Sequence, residues 1–117
     1  MKMIFKPQTE WIPPTDFPDL SKYDEIAVDL ETKDPNLNER MGSGSVVGVG
    51  DVVGISLATH DWCAYYPIAH EGGGNMDRKM VLDWFQDQMR SPSTKIFHNA
   101  MYDVCWLRAL GIQVNGM

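Results

Sequence analysis

The chain is poor in the residues that zinc sites, disulfide frameworks, membranes or duplex-gripping surfaces require. Its 117 residues include only two cysteines and three histidines. Cys63 and Cys105 are not spaced as a metal pair, and Cys105 falls in the apolar pattern of the last helix, so both read as buried free thiols in a reducing compartment. The N-terminus carries no apolar signal segment, and no run approaches the ~18 apolar residues needed to span a bilayer, which points to a cytoplasmic protein without a membrane partner. Ten basic residues stand against sixteen acidic ones, a formal charge of −6. That balance is unlike a protein that grips duplex DNA with a basic stripe and counts against a simple nucleic-acid-binding module.

What is present suits one folded domain. Hydrophobic residues make up 44% of the chain and four are Trp, enough for a modest core. Residues 1–22, with Pro7, Pro13, Pro14 and Pro18 beside Trp11 and Phe17, read as an extended arm pinned by aromatics, and residues 23–117 as the core. Strands are expected at 25–30, 52–58 and 62–68, the last two joined by the short Thr59-His60-Asp61 connection as an antiparallel hairpin. A helix follows over 77–89, with Asn75 as its cap, Asp77 in its first turn, and Met80, Val81, Trp84 and Phe85 as its apolar stripe. Ser91-Pro92-Ser93 breaks it. Residues 95–98 form a fourth strand and 100–110 a second helix ending at Gly111, with Val104, Leu107 and Leu110 as core candidates. Ile112-Gln113-Val114 could open a fifth strand.

Between the first two strands, Asp34 to Asp51 carries Gly42, Gly44, Gly48 and Gly50. Gly48-Val49-Gly50 precedes a strand instead of opening a helix after one, so it lacks the geometry of a phosphate-binding loop. His60 and His70 fall in turns beside Asp61 and Glu71.

Two acidic motifs carry the chemistry. Ile26-Ala27-Val28-Asp29-Leu30-Glu31-Thr32 is an apolar run ending in two carboxylates, and strand alternation points Asp29 and Glu31 to the same side. Lys95 to Asp103 reads as a strand running into a helix, with His98 and Asn99 at the junction and Asp103 four residues beyond Asn99 on the same face. Three carboxylates can therefore converge at the ends of two neighbouring strands, where α/β sheets place their sites. Such acids repel unless they share protons or a cation neutralises them. All-oxygen ligands favour Mg²⁺ or Mn²⁺, and two such ions about 3.5–4 Å apart hydrolyse phosphodiesters. Bound cations also attract phosphate, so the acidic net charge is compatible with a nuclease.

In this order and spacing, Asp29-Leu30-Glu31, Val53 to Ala58, Tyr65-Tyr66-Pro67-Ile68 and Asn99-Ala100-Met101-Tyr102-Asp103 resemble the front part of the 3′–5′ proofreading exonuclease domain of family A DNA polymerases, especially those of bacteriophages. The resemblance covers the chain from about Tyr23 onward. It implies a ribonuclease H-like α/β fold, a mixed sheet in the order β-β-β-α-β-α, cut before its last elements. It also implies that Asp29 bridges two metal ions, that Glu31 holds one and orients water, and that Asp103 supports the second. Thr32, His98, Asn99 and Tyr102 would then line the approach of a DNA 3′ end.

The family has a further downstream motif, a Tyr or His with a final Asp, which this chain does not reach. The expectation is an N-terminal part of one exonuclease domain, weak or inactive alone and completed by the rest of a polymerase chain, in the host cytoplasm if phage-encoded. A non-catalytic DNA- or polymerase-binding module and a ribonuclease D-like RNA exonuclease are the alternatives. The oligomeric state stays open.

Overall fold

In a computed structural model the described residues are 13–33 and 50–117. Pro7, Trp11 and most of the glycine-bearing connection, including Gly42, Gly44 and Gly48, lie outside them.

Alternation organises the first strand, β1 (Glu25–Lys33), whose Ile26, Val28 and Leu30 are buried while Ala27, Asp29 and Glu31 are exposed. It is followed by β2 (Asp51–Ala58), β3 (Cys63–Pro67), α1 (Arg78–Arg90), β4 (Thr94–Phe97) and α2 (Ala100–Ala109). The four strands form one sheet in the order β3-β2-β1-β4. β2 pairs antiparallel with both β1 and β3, and β4 pairs parallel with β1. This is the expected ribonuclease H-like α/β architecture, with the hairpin and the parallel fourth strand in place.

One sheet face is packed. Ile26, Val28, Leu30, Ile55, Leu57 and Tyr66 join Val81, Phe85 and Met89 of α1 and Trp106 and Leu107 of α2 in a single core. The segment before β1 closes the end of this core. Phe17 stacks on Tyr66 at 5.6 Å and meets Trp84 edge-on at 5.5 Å, while Trp84 Nε1 donates to Pro18 O at 2.8 Å. Gln88, buried on α1, accepts the Leu20 N–H at 2.7 Å.

Several local expectations are corrected. Asp77, not Asn75, caps α1, its Oδ1 accepting the Met80 N–H at 3.0 Å; Asn75 instead clamps His70, taking its N–H at 2.7 Å and donating to its carbonyl at 2.9 Å. Met80 is exposed because the buried stripe of α1 runs through Val81, Phe85, Gln88 and Met89. Cys63 is exposed on the open side of the sheet, and Cys105 is half-buried. Ile112 to Val114 forms no strand. Gly111, at φ +78°, turns the chain after α2, and the tail is then tied by Asn115 N–H to Met89 O at 2.8 Å and Lys95 N–H to Gly116 O at 2.9 Å.

Lys95 points into the packed side and is only 3% exposed. Its ammonium donates to the carbonyls of Ser91, Ser93 and Asn115 at 2.6, 2.7 and 2.9 Å, knitting the α1–β4 turn to the C-terminal tail. Burial lowers its pKa from the usual lysine value, yet all three ammonium hydrogens have acceptors. Replacing Lys95 by Met strands three carbonyls, and urea unfolding should show a loss of about 2–3 kcal/mol. A variant as stable as the parent would mean that relief from burying the charge offsets the lost bonds.

Candidate active site

The parallel pairing of β1 with β4 builds the site. Its register matches Ala27 with Ile96 and Val28 with Phe97, so the next residues along, Asp29 and His98, emerge together where β4 gives way to α2. On the face away from the helices, Ala27, Asp29, Ser56, Tyr65, Ile96 and His98 line an open concavity of about 940 Å³. Small side chains on β1 and β2 leave this hollow, and Ile96 stands 46% exposed at its edge.

Asp103 reaches the site from the first turn of α2, where its N–H bonds Asn99 O at 3.0 Å. The residue is 3% exposed, and its Oδ2 is buried without a hydrogen-bond partner. Burial, and then the nearby Asp29 carboxylate, push its pKa up to about 6, against a smaller opposing pull from His98. A buried carboxylate oxygen with no hydrogen bond and another carboxylate nearby is costly to keep charged. Oxygen donors of this kind suit a hard divalent cation better than zinc.

Glu31 is placed differently. It lies on the same face as Asp29, but its Oε2 accepts a hydrogen bond from Tyr65 Oη at 2.9 Å. Among the described residues, no three His, Cys, Asp or Glu side chains stand close enough together to hold a metal ion. The expected convergence of three carboxylates is therefore not met among the described residues: Asp29 lies near enough to Asp103 to act on its charge, while Glu31 is held toward β3 by Tyr65. The ladder slips immediately after Glu31, where Glu31 pairs with Gly54 but Thr32 with Val52. Such a bulge re-aims the strand end beside a site.

The remaining expected residues lie at the end of β1, between β4 and α2, and in the first turn of α2. Thr32 Oγ1 and Tyr102 Oη share a hydrogen bond at 2.7 Å, which ties the end of β1 to α2. Tyr102 also meets Trp106 edge-on at 6.2 Å. Asn99 occupies the cap position of α2 but makes no side-chain cap bond, and it is exposed together with His98. Tyr65 and His70 were not among the expected site residues. The parity of Tyr65 with Ser56 across the hairpin, and of Glu31 with Gly54, is the signal that brings them in.

The comparisons agree with a polymerase context. No protein-family model matches the chain. Over 110 residues it is 32% identical to a DNA-directed DNA polymerase of Pseudomonas phage M6, an alignment that takes in 90% of the chain and 16% of the polymerase. The chain thus spans about 16% of the length of the relative it matches, and is related to a region of a DNA polymerase.

Asp103 gives the site a pH signature. Its folded pKa lies above the unfolded value, so the folded state binds more protons between about pH 4 and pH 6, and stability falls as pH rises through that window. Asp103→Asn should remove this slope and raise stability near pH 7, without divalent ions, by on the order of 1–3 kcal/mol. Thermal melts from pH 4 to 8 read it directly. Parallel curves for the two proteins would place the buried charge elsewhere.

Proposed function

We propose that the chain is the N-terminal part of a metal-dependent 3′–5′ exonuclease domain of a family A-type DNA polymerase, acting on the terminal phosphodiester of a DNA strand. The observation that carries this reading is the buried, unpartnered carboxyl oxygen of Asp103, on a residue whose charge the nearby Asp29 disfavours. The related phage polymerase supplies the context.

In this reading Asp29 and Asp103 hold Mg²⁺ or Mn²⁺ between them, and Glu31 adds a carboxylate from the same strand as Asp29. Two bound ions would supply water activation and stabilisation of the leaving oxygen. Asn99 and His98, exposed where β4 meets α2, face the terminal nucleotide, and the Thr32–Tyr102 bond fixes the wall it passes. Aromatic and end-on contacts, rather than base readout, select a frayed 3′ end. The rest of the exonuclease and polymerase chain is the expected partner.

That no three ligand side chains meet among the described residues favours a second reading, a non-catalytic module that binds DNA or polymerase.

Trimming of a 3′-mismatched DNA primer, with an RNA primer in parallel, separates these readings. The chain is assayed with Mg²⁺ or Mn²⁺, alone and joined to the segment that follows the matching region in the phage polymerase. Metal-dependent trimming of DNA that falls at least about 100-fold in Asp29→Ala is the expected result. Trimming of RNA alone would assign a ribonuclease, and folded protein that trims neither would leave the binding module.

A further inference from the structure

Glu31, turned toward β3, lines a second concavity of about 780 Å³ with Pro13, Pro67, His70 and the Gly72–Gly74 turn. Tyr65 lines both this hollow and the one holding Asp29 and His98, so its ring is a wall the two share. Asp29, Ser56 and Tyr65 are register partners in one row across β1, β2 and β3. Two strand spacings, about 10 Å, separate the ends of that row, the length of about three nucleotides at a stacked rise of ~3.4 Å.

The shared ring is pinned in place. Tyr65 Oη donates to Glu31 Oε2 at 2.9 Å and is in hydrogen-bond contact with His70 Nε2, whose ring meets Tyr65 edge-on at 5.9 Å. Asn75 grips the His70 N–H and carbonyl, and Lys33 pairs with Glu71, which ties the same loop to β1. Burial first, and Glu31 second, raise the Tyr65 pKa above the usual phenol value, so the hydroxyl keeps the proton it donates. Gly54 makes room for it. An added Cβ there would stand 1.8 Å from Tyr65 Oη and 2.3 Å from Cζ, so the phenol end leans over bare backbone. Core packing does not account for this fixing, because Tyr65 is half-buried on the open side of the sheet and stands outside the core cluster.

We infer that Tyr65 is a stacking platform for a nucleobase about two or three positions in from a DNA 3′ end, and that the hollow beside Pro13, Pro67 and His70 receives that nucleotide. The inference rests on the exonuclease reading and extends it away from the acidic motifs. Glu31 in the wall disfavours a phosphate, so the base rather than the backbone is what enters. Every base has a face to stack, which makes the subsite tolerant of sequence. Because the ring is held before DNA arrives, stacking costs it little rotamer freedom.

The test is binding of a short single-stranded thymidine oligomer carrying one 2-aminopurine, moved position by position from each end, with EDTA present to stop hydrolysis. The proteins are the parent chain, Tyr65→Leu, Tyr65→Phe and Gly54→Ala, each confirmed as folded by circular dichroism. Quenching by the parent should peak about two or three positions from the 3′ end. Tyr65→Leu should abolish that peak and bind about 5–100-fold more weakly. Gly54→Ala, which displaces the ring, should follow it, and Tyr65→Phe, which keeps a ring, should lose less. An abasic residue at the quenched position should weaken the parent by a similar factor and leave Tyr65→Leu almost unchanged, since ring and base act as one coupled pair. Folded Tyr65→Leu that binds like the parent, or equal abasic losses in both proteins, would overturn the platform and leave the exonuclease reading standing. A parent that quenches at no position would do the same, with primer trimming still deciding the exonuclease reading. Ring-dependent quenching that ignores which end is near would overturn the 3′-end placement and the exonuclease reading with it.

Discussion

Everything in the site depends on β1 having a neighbour on each side. With β2 antiparallel along Ala27–Lys33 on one flank and β4 parallel along Glu25–Val28 on the other, β1 is held in ladders along its length, and its side chains divide between two faces. Ile26, Val28 and Leu30 anchor one face in the core, which leaves Asp29 and Glu31 no choice but the other. A slip of one residue would bury both acids and expose the three apolar side chains. The packing energy of the core thus fixes the direction of the carboxylates.

The parallel strand adds the second half of the constraint. Because β4 runs alongside β1 and leads straight into α2, the first turn of that helix lies over the end of β1, and Asp103 is carried inward toward Asp29. The helix terminus favours an acid there, while burial and the opposing carboxylate disfavour its charge. Asp103 Oδ2 and, on the same helix, Trp106 Nε1 are both buried without a hydrogen-bond partner. The costly Asp103 charge is held rigidly by elements that are stable for other reasons. Tyr65 and His70 extend the rigidity to Glu31 from the opposite edge of the sheet.

How much of this was readable along the chain follows from the range of each interaction. The alternation from Ile26 to Glu31, the hairpin around His60 and the strand-to-helix step at His98 are local patterns, and all three were legible. The order of the acids was legible as well, but not that Glu31 turns to Tyr65 instead of joining a three-acid cluster. Helix capping was misassigned by two residues, because Asn75 and Asp77 are both good caps and only the loop around His70 decides which is spent elsewhere. The tail after Gly111 looked like a strand because its apolar residues alternate, but single bonds to Met89 and Lys95, rather than a ladder, hold it. The Tyr65–Glu31 bond joins residues 34 apart through the register of three strands, with a glycine between them, and no short-range pattern announces it. The burial of Lys95 was equally hidden, since its acceptors are carbonyls that any sequence provides.

The similarity to a stretch of a phage DNA polymerase supplies the context for the proposal that the Asp29–Asp103 pair takes a divalent cation. The most direct test is a crystal of the chain soaked in Mn²⁺ and measured for anomalous scattering. A peak about 2.0–2.2 Å from an oxygen of each of Asp29 and Asp103 is the predicted result. Well-ordered carboxylates with no peak between them, or an Asp103 side chain satisfied by a protein donor instead, would contradict it.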